Sequence, residues 1–582
     1  MSSSKLQESE VRIAHSLHMK EEEFVVKRRK KVFHSLKKLQ IDCSQDKVPH
    51  FALLGSGGGQ RAMVGLLGSL VQLDKAGLLD CILYLSGVSG STWCMASLYQ
   101  EPDWSTKLET VKDKIIRRLS GPGVSWGDAF AKLKKYYYEK DHFSLTDVWA
   151  VMVVTEYVKE IDEHTLTEKQ NQHSEDLFPI YTVIDKNRTE QGEQSTTQIH
   201  VHPYEIPFTS TDVTQCKQSK EEKDAWFEIS PHEAGYSLTG AFVKTSSFGS
   251  KFDSGSKTKP QPETDILYLQ ALCGSAVADG DENKKILWQK IKDFFKHLLQ
   301  LEMFEEIMEE YHKAPPAKDG YQVLMDLVDM NLAVLNGKNP SDLDQSIRKT
   351  LNELSGGKRQ LIFPTEKLNI TDKQDATLYM KQYTEDVCNN LSSWFSCWPF
   401  DVWMSICRCM AQWIWGRKYD FLQKMNDKTV PSTLLKSETR DYEDAGLLLN
   451  SPYFSVLRKE RNVDLIISLD FSEGDPFMTV RKAAEMCKKR NIPFPEVNIP
   501  SEDLKNPKDF YVFKGTNTPT VIHIPLFNVV NCGGDIEMWR DKYGTLQDSY
   551  SAEMITDLME VAGKNISNNR EKLLEQIQAV IN

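Results

Sequence analysis

Ser89 lies in the pentapeptide Gly87-Val88-Ser89-Gly90-Ser91. The apolar run Cys81-Ile82-Leu83-Tyr84-Leu85 precedes it, and a helix-compatible stretch with Thr92, Trp93, Met95 and Leu98 follows. A serine on a strand–turn–helix junction is arranged as a nucleophile, because flanking glycines let the chain turn tightly and push the hydroxyl outward. The matching chemistry is acyl transfer, in which the hydroxyl attacks an ester carbonyl. The pattern also arises by chance in long chains, so its surroundings have to carry the argument.

A hydroxyl needs a base, and two schemes are open. In an α/β-hydrolase the order is Ser, an acid, then His, which His523 with Asp444 or Asp470 would satisfy. In the other scheme one aspartate takes the proton directly. Asp444, in Tyr442-Glu443-Asp444-Ala445-Gly446-Leu447, is the candidate, although spacing alone does not select it over Asp441 or Glu443.

The elements that must hold these groups begin upstream. Phe51-Ala52-Leu53-Leu54 reads as a buried strand, followed directly by Gly55-Ser56-Gly57-Gly58-Gly59. Met63, Leu66, Leu67, Leu70, Val71 and Leu73 then recur at helical spacing, with Gly77 as the stop. The next strand leads into Ser89. Strand–helix–strand crossovers are parallel and right-handed, so both glycine turns are expected at one sheet edge on neighbouring strands. Backbone N–H groups at a helix N-terminus would then face the serine as an oxyanion hole, where one lost donor costs about 3 kcal/mol of barrier. An oxyanion loop only one crossover helix before the nucleophile favours the dyad scheme. A dinucleotide fingerprint fits less well, since Gly55-x-Gly57-x-x-Gln60 lacks its third glycine. A glycine turn that merely packs helix on sheet is the plain alternative. No G-x-x-x-x-G-K-[ST] phosphate loop occurs.

The 582 residues suffice for one large core or two ordinary ones, and 40% hydrophobic with 26% charged residues is a soluble globular composition. A net charge of −12 argues against nucleic acid as a partner. The first residues lack an apolar signal core, and the 11 cysteines lack metal-ligand spacing, so a cytoplasmic protein with reduced thiols and no metal site is expected. Residues from about 8 to 40 read as an amphipathic helix containing Lys27-Arg28-Arg29-Lys30-Lys31, either a solvated face or a basic lipid-docking face. The tract from about 165 to 225 is polar and reads partly as loops. Residues 285–415 read as a helical cap or insertion. Within it, Trp394, Trp398, Trp403, Trp413 and Trp415 mark either buried core or an interfacial patch. The expected organisation is a basic helix over 1–45, a catalytic domain over 46–570 that includes the cap, and a helix end over 571–582.

Three strings, Gly55-Ser-Gly-Gly-Gly-Gln-Arg61, Gly87-Val-Ser-Gly-Ser-Thr-Trp93 and Asp444-Ala-Gly-Leu447, together resemble the cytosolic (group IV) phospholipase A2 family. Ser247-Phe-Gly-Ser-Lys-Phe252, Asp470-Phe-Ser-Glu-Gly-Asp-Pro-Phe477 and Pro525-Leu-Phe-Asn528 fit as well. The likeness covers roughly 20–275 and 410–570 and fades in the cap. It implies an α/β, patatin-like fold: a central mixed, largely parallel sheet with helices on both faces and a helical cap. It also implies Ser89 as nucleophile, Asp444 as base, Gly58 and Gly59 as oxyanion donors, and Arg61 and Arg461 as holders of the substrate phosphate, with His523 structural. The implied activity is cleavage of fatty acyl esters of glycerophospholipids and lysophospholipids through an acyl-serine, without a cofactor and with possible transfer to another acceptor.

Two departures shape the expectation. Only about fifty residues precede the glycine loop, too few for the calcium-binding lipid-docking sandwich of most members, so action without calcium is expected. The chain ends Gln578-Ala579-Val580-Ile581-Asn582, without the prenylation box that one form of the family carries. Reversible, peripheral adsorption to a phospholipid membrane is therefore expected, through the basic helix and the Trp-rich segment. The competing functions are a lipid-binding protein of the same fold with weak turnover, and a soluble Ser–His–Asp esterase or thioesterase.

Overall fold

A computed structural model describes residues 10–188, 225–275, 281–299, 317–357, 361–364, 367–545 and 547–582. Most of the tract expected as polar loops, from 189 to 224, lies outside the described residues. The strands are β1 (Val11–Ile13), β2 (Phe51–Gly55), β3 (Tyr84–Gly87), β4 (Phe178–Asp185), β5 (Trp226–Ile229), β6 (Glu233–Tyr236) and β7 (Ala241–Lys244). They continue with β8 (Lys251–Asp253), β9 (Ser256–Lys259), β10 (Arg417–Tyr419), β11 (Thr439–Asp444), β12 (Leu465–Asp470), β13 (Tyr511–Phe513) and β14 (Thr520–Pro525).

The main sheet runs β1-β7-β6-β5-β4-β3-β2-β12-β14-β13, with β11 also pairing to β4, while β8 and β9 form a separate hairpin. The centre from β4 through β3, β2 and β12 to β14 is parallel, and the flanks are antiparallel. Every residue of β2, β3, β4, β12 and β14 is buried. That burial explains why these strands read as near-continuous apolar runs instead of alternating ones. On one face Ala52, Leu54, Ile180, Ile184, Ile466 and Val521 share a core with Phe454 and Val480. Truncating one such Leu or Ile to Ala costs about 2–5 kcal/mol. Helix α2 (Gly59–Lys75) packs on the other face together with the helix Ala552–Ser567.

The chain divides into two compact units. The first holds the sheet and comprises residues up to 120, 163–274 and 418–582. The second comprises 121–162 and 275–417. The second is helical and takes in 121–162, which the reading of 285–415 as the insertion did not include. Its helix Trp126–Glu139 meets the helix Asp281–Leu299, where the Phe130 and Phe294 rings approach to 4.3 Å. Trp403 and Trp415 are fully buried inside this unit, and the Trp403 and Phe295 rings meet tilted, with centroids 4.7 Å apart. Trp394, Trp398 and Trp413 remain half-buried. The Trp-rich segment is thus partly core.

The N-terminal helix is shorter than expected. Val11–Ile13 pair with β7 as a strand, and α1 spans Met19–Lys38, opened by His18, whose Nδ1 accepts from Lys20 N at 3.1 Å. Alternating Val11 and Ile13 suit a strand edge. The basic run is divided between inside and outside. Arg28 is buried, donating to the carbonyls of Ile82 and Glu175, and Lys31 pairs with Asp80 at 3.0 Å. Lys27, Lys30, Lys37 and Lys38 stay exposed.

Candidate active site

Both glycine turns leave the sheet at the same place. β2 and β3 are parallel with Gly55 opposite Gly87, and Val88 N donates to Gly55 O at 3.0 Å. From there β2 enters the glycine loop and α2, while β3 enters Ser89 and α3 (Gly90–Leu98). Ser89 has φ 51° and ψ −123° and is 6% exposed. A non-glycine residue held there stores roughly 1–3 kcal/mol of backbone strain, which the surroundings must impose. They do so through bonds on both sides of the turn. Thr92 N donates to Ser89 O at 2.9 Å, and the Thr92 hydroxyl donates to the same carbonyl. The Ser91 hydroxyl donates to Ser56 O at 2.6 Å, and Thr182 Oγ1 donates to Gly87 O at 2.7 Å.

The two loops are pressed together. A Cβ on Gly90 would lie 1.8 Å from Gly59 O, so only glycine fits behind the serine. A Cβ on Gly57 would lie 3.1 Å from Ser89 Cβ. Gly58 caps α2 with φ 153°, and Gly59 opens it with φ 55°. The leading N–H groups of a helix have no intrahelical acceptor and carry the positive end of its dipole. Gly58, Gly59 and Gly90 supply such amides at the abutting first turns of α2 and α3. Gly90 was not named from the sequence, although the rule that the residue after the nucleophile donates to the oxyanion could have found it.

Asp444 arrives from more than 350 residues away. Gly87 pairs with Tyr181 of β4, and Asp444 pairs with Val183 of the same strand, both on the side opposite β5. β3 runs parallel to β4 and β11 antiparallel, so the two strands meet end to end along one edge. Two positions along a strand are about 7 Å, a span that side chains bridge. The buried Asp444 carboxylate accepts from Gly446 N at 2.7 Å, which fixes its orientation. A Cβ on Gly446 would sit 3.0 Å from Asp444 Oδ1 and 3.5 Å from Val88 Cγ1, so the acid turn lies against the nucleophile turn. Asn450, also unnamed from the sequence, links the same parts. Its carbonyl accepts from Gly57 N at 3.1 Å, and its Nδ2 donates to Gly57 O at 3.3 Å and Ser472 Oγ at 3.0 Å. Burial, then the Asp444 charge, push the Cys273 thiol up, which disfavours its thiolate.

The other expected groups lie elsewhere. His523 is on β14, three strands from β3 and so about 14 Å across the sheet. It is fully buried, its Nε2 is bonded to Pro476 O at 2.7 Å, and burial lowers its pKa. Asp470 ends β12, two strands from β3. The Ser–His–Asp scheme built on His523 therefore has no geometry here. Arg461 requires a correction as a phosphate holder. It is buried beneath α1, 5.5 Å from the ring of Tyr84. Its Nε donates to Glu21 at 2.8 Å, Nη1 to Glu228 at 2.9 Å and to Ser455 O, and Nη2 to Glu228 at 2.7 Å and Glu21 at 3.1 Å. All five guanidinium N–H donors are occupied, which leaves none for a phosphate. Arg61 stands beside the glycine loop but is 1% exposed and bonded to protein acceptors.

Comparison with known proteins fits this architecture. A family described as the lysophospholipase catalytic domain matches residues 51–215. Cytosolic phospholipase A2 gamma of Mus musculus is 33% identical over 577 residues, covering 96% of this chain and 90% of that protein. Its Homo sapiens counterpart is 32% identical over 584 residues, covering 98% and 96%. The solved structure of human GIVD cytosolic phospholipase A2 superposes with a TM-score of 0.64 at 21% identity, covering 99% of this chain and 69% of that one. At that identity the superposition speaks for the fold alone.

Proposed function

The chain belongs to the cytosolic phospholipase A2 family, and on that premise we propose that it hydrolyses fatty acyl esters of glycerophospholipids and lysophospholipids on a Ser89–Asp444 dyad. Ser89 Oγ attacks the acyl carbonyl carbon while Asp444 takes its proton. The resulting oxyanion is held by backbone N–H groups of Gly58 and Gly59, joined by that of Gly90. Collapse breaks the ester C–O bond, and Asp444 returns the proton to the leaving alkoxide. Water, or a lipid hydroxyl in a transacylation, then attacks the acyl-serine by the same steps in reverse.

One observation carries the reading: Ser89 is held at φ 51° where β3 and β11 meet on one edge of β4, against glycine-rich first turns. The chemistry calls for no metal, so turnover in chelator is expected. Among the described residues no helix is long and apolar enough to cross a membrane. We place the enzyme in the cytoplasm, adsorbing reversibly to phospholipid surfaces through the exposed Lys27, Lys30, Lys37 and Lys38 of α1. The test is a lipid-product assay in chelator on phosphatidylcholine and lysophosphatidylcholine. Fatty acid release by the wild type and none by Ser89→Ala supports the proposal. Equal release by both refutes it. A folded wild type that binds vesicles but neither turns over nor takes a fluorophosphonate label would point to a lipid-binding protein instead.

A further inference from the structure

Arg61 follows the glycine loop by two residues, and its guanidinium fork is enclosed by protein. Nε donates to Phe471 O at 2.7 Å, Nη1 to Tyr543 O at 2.6 Å and Nη2 to Thr545 Oγ1 at 3.2 Å. The Thr545 hydroxyl donates to Glu473 Oε2 at 2.7 Å, and that carboxylate lies 3.9 Å from Arg61 Nη1. These partners belong to two segments remote in sequence, the turn after β12 and the stretch following the helix Ile536–Lys542.

The same atoms stand against the proposed oxyanion donors. A Cβ on Gly58 would lie 2.7 Å from Phe471 O and 3.2 Å from Arg61 Nη2, and one on Gly59 would lie 3.5 Å from Thr545 O. Gln60 repeats the arrangement from the adjacent position. Its Nε2 donates to Asp548 O at 3.1 Å, and Tyr550 N donates to its Oε1 at 3.0 Å. The first turn of α2 is thus clipped by two consecutive side chains to residues 543–545 and 547–550. A planar guanidinium reaches three acceptors in three directions at once, and a lysine ammonium, a single point on a flexible stem, does not.

We propose that Arg61 is a positioning residue that braces the Gly58–Gly59 oxyanion loop against Phe471, Tyr543 and Thr545, and does not hold the substrate phosphate. The inference rests on the assignment of Ser89 and the glycine loop made above. Amide donors stabilise an oxyanion only when held where the charge develops, so loosening the brace lowers turnover whatever the leaving group carries. A phosphate ligand would instead matter only to substrates with a phosphate.

The experiment compares full-length wild type, Arg61→Lys, Arg61→Ala and Thr545→Val on two esters with the same acyl chain, lysophosphatidylcholine and a p-nitrophenyl ester without phosphate. The rate of labelling by an alkyl fluorophosphonate and the melting temperature are read alongside. The brace predicts that Arg61→Lys lowers kcat on both esters and the labelling rate by a similar factor, about 100-fold, with KM changed less than about 3-fold. Thr545→Val, which removes one contact of the fork, lowers both esters together by roughly 5-fold. Should Arg61→Ala fail to fold, the other two variants decide. Loss confined to lysophosphatidylcholine, or near-wild-type activity of Arg61→Lys on both esters, overturns the brace while Ser89 still labels. An inactive, unlabelled wild type would overturn the assignment of Ser89, and the brace with it.

Discussion

The corner where β3 meets β11 and the charged cluster beneath α1 lie in the same unit, yet they use polar groups in opposite ways. At the corner, Ser89 is held in a strained conformation, and the neighbouring amides belong to helix first turns that have no acceptor of their own. Beneath α1, Arg461 and Arg458 meet Glu21 and Glu228 in pairs buried to about 1% exposure, and all five donors of Arg461 are bonded. On the proposed mechanism, the first region keeps donors uncommitted for a charge that appears only during reaction. The other commits every donor to a charge that is always present. A buried arginine is therefore no sign of a binding site until its hydrogen bonds have been counted.

The comparison is broken most directly at the dyad. Ser89→Ala and Asp444→Asn should each lower kcat/KM on lysophosphatidylcholine by about 10⁴-fold, with melting temperatures near wild type. A variant that melts early at either position would place that residue with the structural cluster. Next comes Gly90→Ala, whose Cβ would meet Gly59 O at 1.8 Å. Forcing the loops apart displaces amide donors, and a loss of about 10²–10³-fold in kcat is expected.

The charged cluster should behave the other way. Arg461→Ala leaves Glu21 and Glu228 buried and unpaired, at a stability cost of about 3–5 kcal/mol by denaturant unfolding. The kcat/KM of the remaining folded enzyme should stay within about 3-fold of wild type, since no donor of Arg461 is free for substrate. A selective rise in KM for phosphate-bearing esters would contradict this. Acid sharpens the contrast. Burial alone would raise the Glu228 carboxyl, but the Arg461 and Arg458 guanidiniums outweigh it and hold it at about 2, against an ordinary 4.5. A folded-state value below the unfolded one contributes stability that is complete above about pH 4.5 and fades as the pH falls toward 2. The stability gap between wild type and Glu228→Gln should therefore narrow over that window. The smallest effect belongs to His523→Asn, expected to change kcat/KM less than about 3-fold because the ring lies three strands from β3.

The sequence revealed what local chemistry dictates. The strand–glycine–helix units around Gly58 and Ser89 were legible because apolar runs, turn residues and helical spacing sit within forty residues of one another. The fold class followed from the resemblance. Asp444 could not be separated from Asp441 and Glu443 by spacing, because its place depends on β11 pairing with β4 across more than 250 residues. Arg61 and Arg461 were named as phosphate ligands through the resemblance, and only the tertiary structure shows which protein acceptors their guanidiniums bond. The strand at Val11–Ile13 was hidden in what read as one helix, since its pairing partner β7 is over 200 residues away. The same limit hid 121–162, whose helices join a unit assembled mostly from 275–417.

The central claim is that the carboxylate of Asp444 activates the hydroxyl of Ser89 across the end of β3. It is tested most directly by timing covalent attachment of an alkyl fluorophosphonate and locating the adduct by peptide mass spectrometry in wild type, Asp444→Asn and His523→Asn. One adduct at Ser89, formed about 10²-fold or more slowly in Asp444→Asn and at the wild-type rate in His523→Asn, is the predicted result. An adduct at another residue, or unchanged labelling of Ser89 in Asp444→Asn, would contradict it.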